Sequence, residues 1–137
     1  MAVIDASVYI TLLDESDPEH ANCLAWFVQA AAVDEPILAP VLLLSEVAAA
    51  ISRGRNDPVL AIEAVRLLED SAVVQLVTVS RELASDAGRI AAEQRVRGAD
   101  SIYLALARQL DDTLITLDRQ QLQRGAGAAK TRRPEQM

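Results

Sequence analysis

The sequence predicts an α/β fold, with a mostly parallel central sheet of four or five strands flanked by helices. Three observations carry this prediction. Short apolar segments that read as strands alternate with longer segments whose apolar residues recur at helical spacing. The 137 residues are 51% hydrophobic but only 3% aromatic, and small aliphatic side chains suit helices packed on a parallel sheet. No internal repeat, long linker or compositional break divides the chain, so residues 1–137 are expected to form a single domain.

Val3–Ile4 reads as a buried strand ending at Asp5, with Ser7 as the N-cap of a first helix reaching about Asp14. Asp17-Pro18-Glu19 supplies a cap acid and a proline at the first helical position, and this second helix runs to about Val33. Ile37–Ala39 is a second strand, ended by Pro40. A helix follows from Val41 to Arg53 and is closed by Gly54. The next runs from Pro58 to Asp70, with Val59, Ile62, Val65 and Leu68 expected inward. Val73–Val79 is rich in β-branched residues and reads as a third strand. Ser80 caps a helix that turns Leu83, Ala87, Ile90 and Ala91 inward, and Gly98 ends that stretch. Asp100 opens a helix that is apolar nearly all round, as a central, covered helix is. Thr113–Leu117 is a fourth strand, and Asp118 opens a short helix through Leu122, broken by Gly125-Ala-Gly127. Residues 128–137 form either a fifth edge strand or a flexible basic tail.

Composition excludes several classes of function. A single cysteine, Cys23, rules out a disulfide framework within the chain and reads as a small buried hydrophobe. Cys23 and the only histidine, His20, make a poor nucleophile pair and a poor zinc site. The opening Met-Ala-Val-Ile-Asp lacks the basic region of a signal peptide, and no apolar run is long enough to span a bilayer. A cytoplasmic protein with no membrane contact is expected. The net charge of −7 argues against simple electrostatic attraction to nucleic acid.

The informative feature is the placement of four acids. Asp5 and Asp118 end the first and fourth strands, and in parallel sheets ligands bind beyond the carboxyl ends of strands. Asp100 follows a Gly-Ala loop of the kind that gathers at the same rim. Glu46 shares a helical stripe with Leu42, Leu43, Val47, Ala50 and Ile51, where a bare carboxylate needs a partner or a metal. Taken singly, Asp100 and Asp118 also read as plain N-caps, and Glu46 as the partner of a distant arginine. Converging carboxylates without His or Cys suit hard cations, Mg²⁺ or Mn²⁺. Such a site supports phosphodiester hydrolysis and offsets part of the negative charge. Ser7 and Thr116, each two residues from a site acid, are candidates to hold a carboxylate in place. Arg53, Arg55, Arg95, Arg97 and Arg119 are candidates for RNA phosphate contacts, or else solvated surface charges. Two other readings use the same acids: an aspartyl-phosphate phosphotransfer domain built on Asp5, and a non-catalytic module holding a structural cation.

Four segments together resemble the PIN-domain ribonucleases, specifically the VapC-type toxins of bacterial VapBC toxin–antitoxin systems. They are Val3-Ile-Asp-Ala-Ser7, Pro40 with Leu44-Ser-Glu46-Val47, Gly98-Ala-Asp-Ser-Ile-Tyr-Leu-Ala105, and Leu114-Ile-Thr-Leu-Asp118. The resemblance covers nearly the whole chain. It implies a PIN-like three-layer fold and an acidic quartet of Asp5, Glu46, Asp100 and Asp118 that binds Mg²⁺ or Mn²⁺. Ser7 and Thr116 match the family's supporting hydroxyls. It further implies cleavage of structured RNA, tRNA or rRNA, by a homodimer. A small VapB-type antitoxin would block the site with its C-terminal segment and bind DNA with its other end. The final strand is where the sequence departs from the family pattern.

Overall fold

A computed structural model describes residues 1–137. The elements follow in the order β1 (Ala2–Ile4), α1 (Ala6–Leu12), α2 (His20–Ala32), β2 (Ile37–Pro40), α3 (Leu42–Arg55) and α4 (Pro58–Glu69). They continue with β3 (Val74–Val77), α5 (Arg81–Gln94), α6 (Gly98–Gln109), β4 (Thr113–Ile115), α7 (Arg119–Arg124) and β5 (Lys130–Arg132). All five strands are parallel, in the order β3-β2-β1-β4-β5. The chain therefore builds outward from β1 in one direction through β3, then returns to build in the other. The reversal falls between β1 and β4, and the crevice beyond their carboxyl ends is the topological switch point.

Strand alternation divides the core into two layers. Ala2 and Ile4 of β1 face one side, with Tyr9, Trp26, Leu43, Val47, Leu68 and Ile115. Val3 faces the other, with Leu83, Ile90, Tyr103, Leu104 and Leu114. The first layer holds α1 to α4 and the second holds α5 and α6, giving the predicted sheet with helices on both faces. The apolar α6 is the covered helix its composition implied, buried from Tyr103 through Ala107. No helix is long and apolar enough to cross a membrane.

Several local expectations are corrected. Asp5, not Ser7, caps α1, because its carboxylate is the group that accepts the Val8 amide. Helix α2 starts at His20; Asp17 and Pro18 form a preceding turn in which the Asp17 side chain accepts the Glu19 amide. Gly54 lies inside α3, and Asn56 takes the left-handed C-cap, a conformation its short polar side chain tolerates. On α4, Ala61, Ala64 and Leu68 face inward while Val59 and Ile62 are exposed. The stripe is rotated because small residues permit close approach to α3. Helix α6 begins at Gly98, so Asp100 lies in its first turn rather than at the cap. The tail forms a fifth strand on the β4 edge and is tied back by Arg133, which pairs at 2.7 Å with Glu19, the residue just before α2.

Candidate active site

Asp5 leaves the end of β1 at the switch point and is 3% exposed. Its Oδ1 accepts hydrogen bonds from the Ser7 hydroxyl at 2.5 Å and the Val8 amide at 3.3 Å. Its Oδ2 accepts from the Thr116 hydroxyl at 2.5 Å and from Gln121 Nε2 at 2.9 Å. Four donors use nearly all the acceptor capacity of one carboxylate. Burial lifts the Asp5 carboxyl to about 6, against the pull of the Ser7 and Thr116 hydroxyls and the Val8 amide; the Asp100 charge adds to the rise.

The two hydroxyls also clamp the neighbouring strand end. Ser7 Oγ accepts the Leu117 amide and Thr116 Oγ1 accepts the Asp118 amide, both at 3.0 Å. Both candidates for holding a carboxylate therefore touch Asp5 directly.

Asp118 serves two partners. Its Oδ1 caps α7 by accepting the Gln121 amide at 3.1 Å, and its Oδ2 accepts from Arg97 Nη2 at 3.2 Å. Asp100 is 7% exposed. Its Oδ2 accepts from Arg97 Nε at 2.9 Å, and its Oδ1 lies 3.4 Å from Gln121 Nε2. Glu46 extends from α3 beside this group. Its Oε1 is buried with no hydrogen-bond partner, and the buried Tyr103 hydroxyl has none either. The hydroxyl lies close enough to favour the ionised form of Glu46, yet no aligned bond joins them. Burial is the larger influence and raises the Glu46 carboxyl, helped by Asp100 and opposed by Tyr103 and Arg97.

The structure thus brings Asp5, Asp100 and Asp118 into one network, with Glu46 at its side. It also corrects the expected geometry. No three of the chain's acidic, histidine or cysteine side chains stand at the spacing that would let them hold a metal ion together. The Arg97 guanidinium and the Gln121 carboxamide stand between the carboxylates, whose mutual repulsion they relieve. The donor set itself fits a hard divalent cation. It consists of four carboxylates, and the unpartnered Glu46 Oε1 is a buried acceptor that only a cation or a donor can satisfy.

Gln121 escaped the sequence reading. It is fully buried, bridges Asp5 and Asp100, and leaves its own Oε1 without a partner. Its only sequence signal was its place three residues after the cap Asp118. Of the candidate phosphate-binding arginines, Arg97 is instead paired with two of the acids. Arg55 lies 3.9 Å from Asp14, away from the network, and Arg53 donates to its own helix at Ala49. Arg95 and Arg119 are exposed. His20 bonds the Thr11 carbonyl and Cys23 is buried in the core, so neither joins the site.

Two neighbouring hollows lie on this side of the molecule, and the second includes Glu46. One, of about 410 Å³, lies between α1, α3 and α4 and is lined by Ile10, Leu13, Ile51, Leu60 and Leu67. The other, of about 440 Å³, includes Glu46, Ser45 and Arg53 and shares Ile10 and Ala50 with the first.

The profile described as "PIN domain" matches residues 2–127. Comparison with curated proteins finds no match. Among solved structures, the chain is similar to the Mycobacterium tuberculosis toxin VapC20, described as cleaving the sarcin-ricin loop. Identity is 18%, TM-score 0.75, with 98% of this chain and 100% of that one covered. FitAcB from Neisseria gonorrhoeae matches at 16% identity and TM-score 0.73, covering 100% of both chains. VapBC2 from Rickettsia felis, bound to a DNA fragment from its promoter, matches at 11% identity and TM-score 0.70. There 96% of this chain and 97% of the other are covered. At these identities the likeness is one of fold.

Proposed function

The chain belongs to the PIN-domain family, and from that premise we propose that it is a Mg²⁺- or Mn²⁺-dependent endoribonuclease, the toxin of a type II toxin–antitoxin pair. The observation that carries this reading is that Asp5, Asp100 and Asp118 share one hydrogen-bond network at the switch point, beside Glu46, whose Oε1 is buried and unpartnered. These four carboxylates would hold the ion, which when bound offers a Lewis acid to phosphate oxygens and makes water a stronger acid. Ser7, Thr116 and Gln121 hold the Asp5 carboxylate in one orientation. Arg95 and Arg119, both exposed, would contact phosphates flanking the scissile one. The reaction is hydrolysis of a phosphodiester bond in structured RNA, tRNA or rRNA: water supplies the new oxygen on phosphorus and the other P–O bond breaks. The VapC20 toxin's cleavage of the sarcin-ricin loop supports this substrate class.

The partner is a small VapB-type antitoxin, a reading supported by the likeness to the Rickettsia felis VapBC2 complex. An amphipathic segment fits the apolar hollow at Leu13, Leu60 and Leu67, and the adjoining hollow leads its basic end to Glu46. DNA enters only through the antitoxin. The outer face of α4, with Val59 and Ile62 exposed, suits a second copy in a homodimer. The reading treats residues 1–137 as a single domain acting in the cytoplasm, where such RNA is found.

The rival based on an aspartyl nucleophile is disfavoured by the structure. Both Asp5 oxygens are held in place by protein donors, and Lys130 pairs with the start of β4, at the opposite end of the strand from Asp5. The decisive experiment incubates the protein with total tRNA and rRNA and sequences the new 5′ ends. Cleavage at defined positions, lost in EDTA and in Asp100→Asn and Glu46→Gln, is expected. Cleavage that persists in Asp100→Asn, or none with any RNA, overturns the assignment and leaves a non-catalytic metal-binding module.

A further inference from the structure

We propose that Arg97 is a displaceable internal counter-cation: it occupies the Asp100 and Asp118 oxygens that a divalent ion needs, and it must turn outward before the ion can load. This inference rests on the proposed metal site and concerns its regulation.

Two groups of different character stand between the acids. Gln121 is fully buried, donates to both Asp5 and Asp100, and carries no charge. It has nowhere to go and acts as a fixed spacer. The Arg97 side chain is 70% exposed and reaches in from the residue just before α6. Its Nε donates to Asp100 Oδ2 at 2.9 Å and its Nη2 to Asp118 Oδ2 at 3.2 Å. One guanidinium thus bridges two carboxylates that belong to different elements. An exposed, long side chain can leave such a bridge by rotating into water; the pair with Asp118 is the more solvent-screened, and the pair with the largely buried Asp100 is the costlier to give up until an ion replaces it.

The oxygens freed by that rotation are the informative part. In the present arrangement Asp5 has both oxygens engaged, Asp118 Oδ1 is held as the α7 cap, and Asp100 Oδ1 faces Gln121. Departure of Arg97 releases Asp100 Oδ2 and Asp118 Oδ2 together. With the unpartnered Glu46 Oε1, this makes three carboxylate oxygens from three elements available at once. With Arg97 in place, no three acids stand at the spacing of a shared ion, so they must also close on the ion once Arg97 has left. The apparent affinity of the site is then its intrinsic affinity reduced by the fraction of time Arg97 is out.

The test is Mn²⁺ binding measured by calorimetry on the full chain, without RNA. Arg97→Gln is expected to bind Mn²⁺ about threefold to tenfold more tightly than wild type, the range set by losing two ion pairs to one mostly exposed arginine. Arg97→Lys, which keeps the charge but cannot bridge both acids, is expected to fall between them. Arg119→Gln removes the same charge beside Asp118 without a contact to these acids and serves as the reference for simple electrostatics. Far-UV circular dichroism confirms folding of each variant. If Arg97→Gln binds no more tightly than Arg119→Gln, or more weakly than wild type, Arg97 does not compete for the site and the inference fails alone. Absence of Mn²⁺ binding by wild type and every variant instead overturns the metal site, and this inference with it.

Discussion

Replacing Asp5 with asparagine is expected to make the protein more stable while abolishing cleavage. Burial raises the Asp5 carboxyl from the usual 3.8 to about 6, so the fold favours its protonated form. A group raised in this way contributes full stability below about 3.8, and that contribution is lost as pH rises through about 6. The interval corresponds to about 3 kcal/mol at neutral pH. About 1 kcal/mol of it is already lost at pH 4.5, leaving about 2 kcal/mol to be lost between pH 4.5 and 7.5. Asparagine keeps an Oδ1 to accept the Val8 amide and the Ser7 hydroxyl, and its Nδ2 can donate to the Thr116 hydroxyl oxygen. Rotation of the Gln121 amide turns its unpartnered Oε1 toward the new donor. Thermal melts in EDTA should show Asp5→Asn more stable by about 1–3 kcal/mol at pH 7.5, or roughly 3–9 °C for a domain of this size. The advantage should shrink by about 2 kcal/mol at pH 4.5. Equal or lower stability of Asp5→Asn at pH 7.5, or an advantage independent of pH, would refute the claim that burial of this carboxylate strains the fold. The expected pairing of greater stability with lost activity is the trade-off seen where a site is built against the stability of its scaffold.

Three other outcomes are expected. Thr116→Val removes a buried hydroxyl that donates to Asp5 and accepts the Asp118 amide, so denaturant melts should show a loss of about 1–3 kcal/mol and Thr116→Ser should restore most of it. A Cβ at Gly125 would lie 2.7 Å from the buried Leu104 side chain, so Gly125→Ala should destabilise by about 1–3 kcal/mol. That penalty should nearly vanish in a Leu104→Ala background, and strict additivity in the double-mutant cycle would contradict the steric account. Burial pushes the Cys23 thiol up to about 12, so iodoacetamide at pH 8 should label it in urea but not in the native protein; rapid native labelling would place the thiol outside the core.

The alternation of strands and helices was legible in the sequence because it rests on local physics. Val3–Ile4, Ile37–Ala39 and Leu114–Ile115 are short apolar runs, and Pro58 and Ser80 mark helix starts through backbone geometry and capping. Parallel strands joined by helices then require a sheet covered on both faces, and acids at strand ends fall at its rim. The facing of α4 was not legible: Val59 and Ile62 have the right spacing, but Ala61 and Ala64 permit the closer approach to α3. Nor was the fifth strand, whose pairing depends on the exposed edge of β4. The site shows the same division. The sequence marked Asp5, Glu46, Asp100 and Asp118 as chemically unusual for where they stand. Only the tertiary structure joined Asp5 to Thr116 across 111 positions, inserted the buried Gln121 between two carboxylates, and turned Arg97 inward. The reason is physical: a cap or a strand is satisfied within a few residues, whereas a buried charge takes whichever partner the fold carries to it.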